Sequence, residues 1–223
     1  MASNQLQSPA KKKILLVDDH EIVRRGIASL LNTEPDVEVC GEAEDMRSAL
    51  DAIKQMRPDL VLLDLSLGEG DGLDILRQLR EQNSDVLVLV LSMYDETIYA
   101  ERALRAGAKG YVRKVDVAKT IVGAIRTVLA GQVYVSDTVA AQLLNRLSGG
   151  KSSSANMPID KLTDRELQVL RCIGRGMGND EIAEELFISA KTVESHKEHI
   201  KAKTGLASSG DLLRYAIEFC RVR

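Results

Sequence analysis

Four short, continuous apolar runs, each stopping at a polar residue, constrain the fold more than any other feature of this sequence. The runs lie at residues 14–17, 60–63, 86–91 and 111–112, and helix-like segments separate them. Such runs are typical of parallel strands that are covered on both faces. Strands are expected near 13–17, 37–41, 59–63, 86–91 and 110–112, and helices near 20–32, 45–56, 71–82, 96–106 and 116–130. The alternation predicts an α/β fold with a doubly wound, five-stranded parallel sheet in the order 2-1-3-4-5.

The polar residues that end the runs should meet at one edge of this sheet. Asp18 and Asp19 follow the first strand, Asp64 follows the third, and Ser92 and Lys114 come at the ends of the fourth and fifth. The carboxyl ends of the strands form the functional crevice of an open parallel sheet. Taken singly, each residue also fits a helix cap, a turn or a surface charge. Those readings do not explain why all five lie at the same edge.

The residue types at this edge favour phosphoryl chemistry with a divalent cation. Neighbouring carboxylates repel and raise one another's pKa unless a cation is present. Mg²⁺ prefers oxygen ligands and often uses one or two carboxylates together with phosphate oxygens. A carboxylate such as Asp64 can act as a nucleophile and form an acyl phosphate. The metal, Lys114 and Ser92 would then stabilise the phosphoryl oxygens.

Composition restricts the location and the partners of the protein. No apolar run approaches the roughly 20 residues of a membrane span, and the first residues lack the apolar stretch of a secretory signal. The three cysteines form no CxxC pair, which favours reduced thiols in a cytoplasmic protein. Lys and Arg total 30 against 33 for Asp and Glu, so DNA binding would need locally concentrated basic charge. We expect a cytoplasmic location and no membrane partner.

The chain should divide into two domains. We expect a disordered lead-in at 1–12, a first domain at 13–131, a linker at 132–160 with a short helix at 137–147, and a second domain at 161–223. The composition of residues 148–154, rich in Ser and Gly, is typical of a flexible segment. In the second domain the strand signal is absent, and helices fit near 163–176, 179–186, 190–204 and 208–221.

The third of these helices has one apolar and one polar face. Val193, Ile200 and Thr204 share a face that should pack on the preceding helix. Thr163 with Glu166 has the pattern of a capping box, and Ser189 suits the N-cap of the third helix. A short helix, a turn and a polar-faced helix indicate a helix-turn-helix. An ordinary amphipathic helix with a solvated outer face fits the spacing equally well.

The first domain resembles the receiver domain of bacterial two-component response regulators. The matching motifs are VDDH at 17–20, LLDLS at 62–66, LS at 91–92 and GYVRK at 110–114. The resemblance implies a flavodoxin-like receiver at 13–131.

The resemblance also implies roles for the residues of the pocket. Asp64 would be the phosphoacceptor. Asp19 and Asp64 would bind Mg²⁺ directly, Asp18 through water, and Ser66 through its backbone carbonyl oxygen. Ser92 would supply the switch hydroxyl, and Lys114 would bind the phosphoryl group. Tyr111 would be the aromatic residue that changes rotamer as the hydroxyl moves.

This sequence departs from the receiver pattern at two places. Receivers usually carry Met-Pro three and four residues after the phosphoacceptor, where this chain has Leu67 and Gly68. We expect residues 68–70 to form a more mobile loop that affects the lifetime of the phosphoryl group. Val115 stands where many receivers have Pro, so the sequence gives no basis for asserting a cis bond there.

The second domain closely resembles the LuxR-type helix-turn-helix domain. The matching segments are LTDRELQVL at 162–170, GMGNDEIAEEL at 176–186 and ISAKTVESH at 188–196. With the receiver in front, the chain resembles a NarL/FixJ-type response regulator. The resemblance implies phosphorylation by a sensor histidine kinase, homodimerisation, sequence-specific binding to double-stranded DNA and regulation of transcription, with RNA polymerase as a candidate further partner. Apart from its own phosphorylation and dephosphorylation, the protein would not be an enzyme.

The expected DNA contacts lie on the helix at 190–204. Outward positions 194, 195 and 198 are those that approach base edges in such domains, and two of them are acidic. Acids facing a polyanion reduce affinity unless they accept hydrogen bonds from base amino groups, so dimers on paired half-sites are expected. Lysines on the helix would anchor phosphates. The candidate DNA-binding residues are Lys191, Thr192, Glu194, Ser195, Lys197, Glu198, Lys201 and Lys203.

Two alternative functions fit parts of the pattern. A strand-end Asp in a doubly wound fold also suits a haloacid-dehalogenase-like phosphatase. Those enzymes carry a second acid two residues after the nucleophile, where this chain has Ser66, and they need a substrate cap for which it has no room. The other alternative is a phosphorylation-independent DNA binder that uses its receiver only for dimerisation; the complete pocket argues against it, and the unusual loop at 68–70 favours it.

Overall fold

The computed structural model describes residues 10–67, 70–82, 84–147 and 161–221. The chain separates into two compact units, with the division after Gly150. The predicted flexible segment at 148–154 lies outside the described residues, and so do Gly68 and Glu69 of the predicted mobile loop. Within the described ranges, no helix is both long enough and apolar enough to cross a membrane.

The first unit is built on a parallel sheet. Its strands are β1 (Lys12–Val17), β2 (Val37–Ala43), β3 (Leu60–Asp64), β4 (Ser66–Leu67), β5 (Gly70–Asp71), β6 (Leu87–Ser92) and β7 (Gly110–Arg113). The short strands β4 and β5 form a separate pair. The main sheet has the order β2-β1-β3-β6-β7 and every pair in it is parallel. This confirms the predicted fold class and the order 2-1-3-4-5. The antiparallel pair β4-β5 was not predicted, because two-residue strands carry no periodic signal.

Helices connect the strands. They are α1 (Glu21–Leu31), α2 (Met46–Met56), α3 (Gly72–Glu81), α4 (Glu96–Ala106), α5 (Val117–Leu129) and α6 (Asp137–Leu147). Side-chain caps fix two of the starts: Asp45 accepts from the backbone N–H of Ser48 at 2.7 Å, and Asp95 accepts from that of Thr97 at 2.9 Å. The N-cap of α1 is His20, and its side chain makes no capping hydrogen bond. The N-cap position of α1 is therefore occupied by His20 and not by Asp19.

Both faces of the sheet are covered, and the side chains alternate between them. Ile14, Leu62 and Leu89 lie on the face that packs against α1 and α5, and each is at most 2% exposed. Burying one such side chain contributes about 1.5–3 kcal/mol to folding. Because β3 has neighbours on both sides and both faces covered, its end is a rigid support for Asp64.

The chain beyond α5 adds to the edge of the sheet. The backbone of Tyr134 bridges β7, donating to the carbonyl of Lys109 at 3.0 Å and accepting from the N–H of Tyr111 at 2.9 Å. Helix α6 then packs on α4, and Ser136 Oγ donates to Glu96 Oε1 at 2.8 Å. These contacts hold the start of the predicted linker against α4 and β7.

The second unit is helical. Its helices are α7 (Asp164–Gly174), α8 (Asn179–Glu185), α9 (Ala190–Thr204) and α10 (Ser209–Arg221). The predicted capping box of Thr163 with Glu166 is confirmed, and Ser189 caps α9 as predicted. Val193 and Ile200 of α9 are fully buried. Since α9 packs on both α7 and α8, its apolar face is the inner one, as the sequence predicted.

Candidate functional site: an acidic pocket and a polar-faced helix

Parallel register brings the predicted pocket residues to one edge of the sheet. In the pairing of β1 with β3, Val17 lies beside Leu63, so Asp18 and Asp64 follow at the same level. In the next pairs, Asp64 lies beside Leu91 and Ser92 lies beside Arg113. The strand ends therefore carry Asp18, Asp64, Ser92 and Lys114 into one pocket.

A lysine bridges two buried carboxylates at the centre of the pocket. Asp18 is 3% exposed and Asp64 is 2% exposed. Lys114 Nζ lies 2.5 Å from Asp18 Oδ2 and 2.7 Å from Asp64 Oδ2. Only 8% of the lysine side chain is exposed, so solvent screens these ion pairs weakly. Lys114 thus offsets most of the repulsion between the two carboxylates.

The environment of the pocket changes the pKa of both partners. Burial raises the pKa of Asp64 to about 6; Lys114 works against this rise and Asp18 adds to it. Burial works to lower the pKa of Lys114, but Asp64 and Asp18 outweigh it and raise that pKa above its ordinary value. The lysine therefore stays charged at neutral pH, and Asp64 is a more basic carboxylate than an exposed one.

The donor set of the pocket fits a magnesium ion. Asp64 Oδ1 is buried and makes no hydrogen bond within the described part of the chain. Ligand atoms of Asp18, Asp19, His20 and Asp64 all lie within 4.8 Å of one another. Most of these donors are carboxylate oxygens, which Mg²⁺ prefers. The oxygen of Asp64 that has no hydrogen-bond partner among the described residues and the carboxylate of Asp19 suit the two predicted direct ligands, and the ion pair of Asp18 with Lys114 suits its predicted contact through water. The backbone carbonyl of Ser66 stays a predicted ligand.

Tyr94 connects three of the predicted site residues, and sequence reasoning missed it. Its backbone N–H donates to Ser92 Oγ at 3.2 Å, and its carbonyl accepts from the hydroxyl of Tyr111 at 3.0 Å. Its own hydroxyl accepts from Ser66 Oγ at 2.5 Å. Tyr111 is 1% exposed, so its ring lies inside the protein. Any movement of Ser92 or Tyr111 must change the hydrogen bonds of Tyr94.

Two further residues near the pocket were not among the predicted site residues. His20 Nδ1 lies 2.6 Å from Asp19 Oδ1, and its backbone N–H donates to Asp18 Oδ1 at 2.9 Å. Arg24 of α1 donates to the backbone carbonyl of Asp18 at 2.6 Å. His20 belongs to the VDDH motif, which was the signal available for it. The helical pattern gave no signal for Arg24.

In the helical unit, α9 presents its predicted polar face outward. Lys191, Thr192, Glu194, Ser195 and Glu198 are exposed. These five are therefore accessible to a DNA groove.

The other three candidate residues of α9 have partners within the domain. Lys203 Nζ lies 2.8 Å from both carboxylate oxygens of the buried Glu166. Lys201 Nζ lies 2.8 Å from Glu198 Oε1. Lys197 donates to Asn179 Oδ1, and burial lowers the pKa of this lysine. The helix therefore presents less free positive charge than its sequence suggests.

Family comparisons identify both units. The family of response regulator receiver domains matches residues 14–126, and the luxR family of bacterial regulatory proteins matches residues 160–216. The oxygen regulatory protein NreC of Staphylococcus carnosus is 40% identical over 210 residues, which are 92% of this chain and 97% of that protein.

Two solved structures are similar to this chain over most of its length. RcsB of Salmonella enterica serovar Typhimurium, bound to promoter rprA in the presence of the phosphomimetic BeF3⁻, is 26% identical, with a TM-score of 0.57 over 93% of this chain and 98% of that one. A structure of two RcsB dimers bound to two parallel DNAs is also 26% identical, with a TM-score of 0.56 over 92% of this chain and 98% of that one. The relatives are transcription regulators and not phosphatases of the haloacid-dehalogenase type. The chain belongs to the two-component response regulators that join a receiver domain to a LuxR-type DNA-binding domain, and it is an NreC-like member of the NarL group.

Proposed function

We propose that Asp64 receives a phosphoryl group from a sensor histidine kinase in the cytoplasm, with Mg²⁺ bound beside it. The observation that carries this proposal is the buried carboxylate of Asp64, with one oxygen 2.7 Å from Lys114 Nζ and the other without a hydrogen-bond partner among the described residues. The arrangement leaves Asp64 able to hold a cation and a phosphoryl group, and Asp19 completes the cation site. When bound, Mg²⁺ supplies positive charge that stabilises the phosphoryl oxygens.

The chemical step requires only a nucleophile and stabilised charge. A carboxylate oxygen of Asp64 attacks phosphorus, the bond from phosphorus to the donor nitrogen breaks, and the electron pair of that bond leaves with the donor. Lys114 and the hydroxyl of Ser92 lie at the same edge and would donate hydrogen bonds to the phosphoryl oxygens. Burial raises the pKa of Asp64 to about 6 in the pocket without a cation, and a bound Mg²⁺ would favour the ionised carboxylate that the attack requires.

Phosphorylation would reach the rest of the protein through Ser92. A phosphoryl group shifts a conformational equilibrium only through contacts that differ between the two states. If Ser92 Oγ moves to the phosphoryl group, the N–H of Tyr94 loses its acceptor, and the carbonyl of Tyr94 that holds Tyr111 is free to shift. We propose that the receiver then favours a homodimer.

The dimer would bind double-stranded DNA through α9 and regulate transcription. Dimeric RcsB on DNA supports this part of the proposal by analogy. Lys191 is the best-placed phosphate anchor, since it is exposed at the start of the helix. Thr192, Glu194, Ser195 and Glu198 would face the groove, while Lys197, Lys201 and Lys203 would reach phosphates only by leaving their present partners. RNA polymerase remains a candidate partner at the promoter.

We place the functional boundaries where the sequence predicted them. The receiver would cover 13–131, the linker 132–160 and the DNA-binding domain 161–223. The two family matches, 14–126 and 160–216, support these boundaries, and the division after Gly150 falls within the proposed linker.

The proposal is tested by the intact mass of the full chain after incubation with acetyl phosphate and Mg²⁺. The wild type should gain one phosphoryl group, and Asp64→Asn should gain none. Asp51→Asn is the matched control, because Asp51 is an exposed aspartate on α2, away from the strand ends. A phosphoryl group on Asp64→Asn would refute the assignment. A wild type that gains no mass would favour the phosphorylation-independent DNA binder.

A further inference from the structure

Arg24 reaches from α1 to the backbone of the acidic pocket. Its Nη1 donates to the carbonyl oxygen of Asp18 at 2.6 Å, and its Nε donates to Glu42 Oε2 at 3.0 Å. The side chain of Arg24 is only 11% exposed. A guanidinium presents its donors in a fixed planar fork, so two simultaneous acceptors fix its orientation. Glu42, near the end of β2, therefore aims the arginine at the pocket.

The contact with Arg24 completes a set of bonds around Asp18. The backbone N–H of Asp18 donates to the carbonyl of Ala43 at 3.1 Å. Its Oδ1 accepts from the N–H of His20 at 2.9 Å, and its Oδ2 pairs with Lys114 at 2.5 Å. With Arg24 on the carbonyl, the N–H, the carbonyl and Oδ1 of Asp18 are all hydrogen-bonded, and Oδ2 is held by its ion pair with Lys114. The carbonyl of Asp18 belongs to the peptide that leads into Asp19, so a bond to it fixes the starting orientation of Asp19.

We infer that Arg24, oriented by Glu42, is a positioning residue for the cation site at Asp19 and Asp64. Arg24 would contact neither the cation nor the phosphoryl group. It acts by fixing the peptide between Asp18 and Asp19. The inference rests on the proposed Mg²⁺ binding. Groups that orient metal ligands typically change metal affinity by roughly 10- to 100-fold when they are removed.

The charge of Arg24 and its orienting role predict opposite changes in Mg²⁺ affinity when the arginine is replaced. A guanidinium near the carboxylates repels a divalent cation, so a purely electrostatic effect would make Mg²⁺ bind more tightly after the charge is removed. An orienting role predicts weaker binding. The sign of the change in affinity therefore separates the two effects.

Isothermal titration calorimetry of the full chain with MgCl2 measures whether Mg²⁺ binding becomes weaker or tighter. We expect Arg24→Gln to bind Mg²⁺ about 10-fold more weakly than the wild type. Arg24→Lys keeps the charge but loses the planar fork, and it should also bind more weakly. The control is Arg25→Gln, because Arg25 is the next residue of α1 and its partner is the exposed Glu21 at 2.6 Å. This control should match the wild type.

Two further readouts exclude a general loss of structure. Thermal unfolding without Mg²⁺ should show that each variant is folded at the temperature of the titration. Glu42→Gln provides a second variant that leaves Arg24 in place, and it should also weaken Mg²⁺ binding. In the acetyl phosphate reaction, Arg24→Gln should need a higher Mg²⁺ concentration for half-maximal phosphorylation and reach the wild-type rate at saturation.

Unchanged or tighter binding of Mg²⁺ by Arg24→Gln, with the wild type binding normally, would overturn the inference and leave the proposed function intact. A wild type that binds no Mg²⁺ would overturn both. A rate of phosphorylation that stays low at saturating Mg²⁺ would also contradict the inference, because Arg24 would then affect the chemical step itself.

Discussion

At the scale of single residues, the aspartates of the pocket differ in their contacts and should differ in their roles. Asp18 is held by Lys114 and by the N–H of His20, whereas Asp64 keeps one buried oxygen without a hydrogen-bond partner in the described part of the chain. Asp19 is more exposed and contacts His20. We therefore expect Asp19 and Asp64 to bind the cation and Asp18 to support them.

These different roles predict that Asp19→Asn and Asp18→Asn differ in their affinity for Mg²⁺. Asp19→Asn should bind Mg²⁺ at least about 10-fold more weakly than the wild type, because it removes a direct ligand; losing a group that only orients a ligand typically costs that much. The Mg²⁺ affinity of Asp18→Asn should fall by less. Calorimetric titration of both variants, with Asp51→Asn as the control, measures the difference. Equal affinity of Asp19→Asn and the wild type would place the cation elsewhere.

In the helical unit, Glu166 has an ion pair that should make stability depend on pH. Burial works to raise the pKa of Glu166, but Lys203 and the N–H of Thr163 outweigh it and hold that pKa below its ordinary value. A carboxyl with a lowered pKa in the folded state stabilises the protein above its unfolded pKa. That contribution is lost as the pH falls through the folded pKa.

Glu166→Gln should therefore unfold more easily at pH 7, by about 1.5–3 kcal/mol, the usual contribution of a hydrogen bond to a charged group. The difference from the wild type should shrink as the pH falls below the ordinary glutamate pKa of about 4.3. Denaturant unfolding followed by circular dichroism at several pH values measures it. Glu184→Gln, at an exposed position of α8, is the control. A difference that stays constant down to pH 3 would contradict the role of the carboxylate.

Some residues of the site could be placed from the sequence and others could not. A residue that ends a buried strand lies at the edge of the sheet whatever its loop does, so Asp18, Asp64 and Lys114 were predictable. Tyr94 and Arg24 act through contacts whose existence depends on side-chain direction across two elements. No pattern along one segment carries that information.

At the scale of elements, the close approach of α3 to the end of β3 positions Asp64. The N–H of Gly72 donates to the carbonyl of Leu65 at 3.0 Å. A Cβ at Gly72 would lie 2.6 Å from the carbonyl oxygen of Asp64, which is backbone and cannot turn aside. Only glycine fits at this first residue of α3.

Gly72→Ala should therefore displace the backbone beside Asp64. We expect it to be destabilised by about 1–3 kcal/mol, the usual range for overpacking, and to be phosphorylated more slowly by acetyl phosphate. Gly26→Ala is the control, since nothing lies within 4 Å of a Cβ there; it should stabilise α1 by about 0.5–1 kcal/mol. Thermal unfolding and intact mass measure both variants. A normal rate of phosphorylation in Gly72→Ala would contradict this account of α3.

Helix α9 carries a second prediction at this scale. Glu198 neutralises Lys201 at 2.8 Å, so removing the acid both deletes a repelling charge and releases a lysine. Glu198→Ala should then bind random DNA more tightly, while its preference for a selected operator falls. Lys191→Ala should weaken binding to all sequences and lower the salt dependence by about one unit of slope.

Binding of these variants to operator and random DNA at two salt concentrations measures both effects. An unchanged ratio of the two affinities in Glu198→Ala would make this residue a solvated surface charge.

The main elements of the fold were predictable because their signals are local. Buried strands gave continuous apolar runs, and Thr163 and Ser189 marked helix starts. The pair β4-β5 gave no signal, because two-residue strands are too short to show a periodic pattern. The pairing of Lys203 with Glu166 was also missed, since it joins α9 to the start of α7 across 37 residues of sequence.

At the scale of the whole molecule, the switch in the receiver should control the oligomeric state. Ser92→Ala keeps Asp64, Asp19 and Lys114, so it should accept a phosphoryl group. It lacks the hydroxyl whose movement would change the contacts of Tyr94 and Tyr111, so it should dimerise poorly. Intact mass and sedimentation of the same sample test this. Full phosphate-dependent dimerisation of Ser92→Ala would contradict the route through Tyr94.

The central claim is that phosphorylation of Asp64 converts this chain to a dimer. Sedimentation velocity of the full chain, with and without acetyl phosphate and Mg²⁺, tests it most directly, with Asp64→Asn as the comparison. The account predicts that the reagents shift the wild type toward the dimer and leave Asp64→Asn unchanged. Identical sedimentation of the wild type under both conditions, with its phosphorylation verified by intact mass, would contradict it.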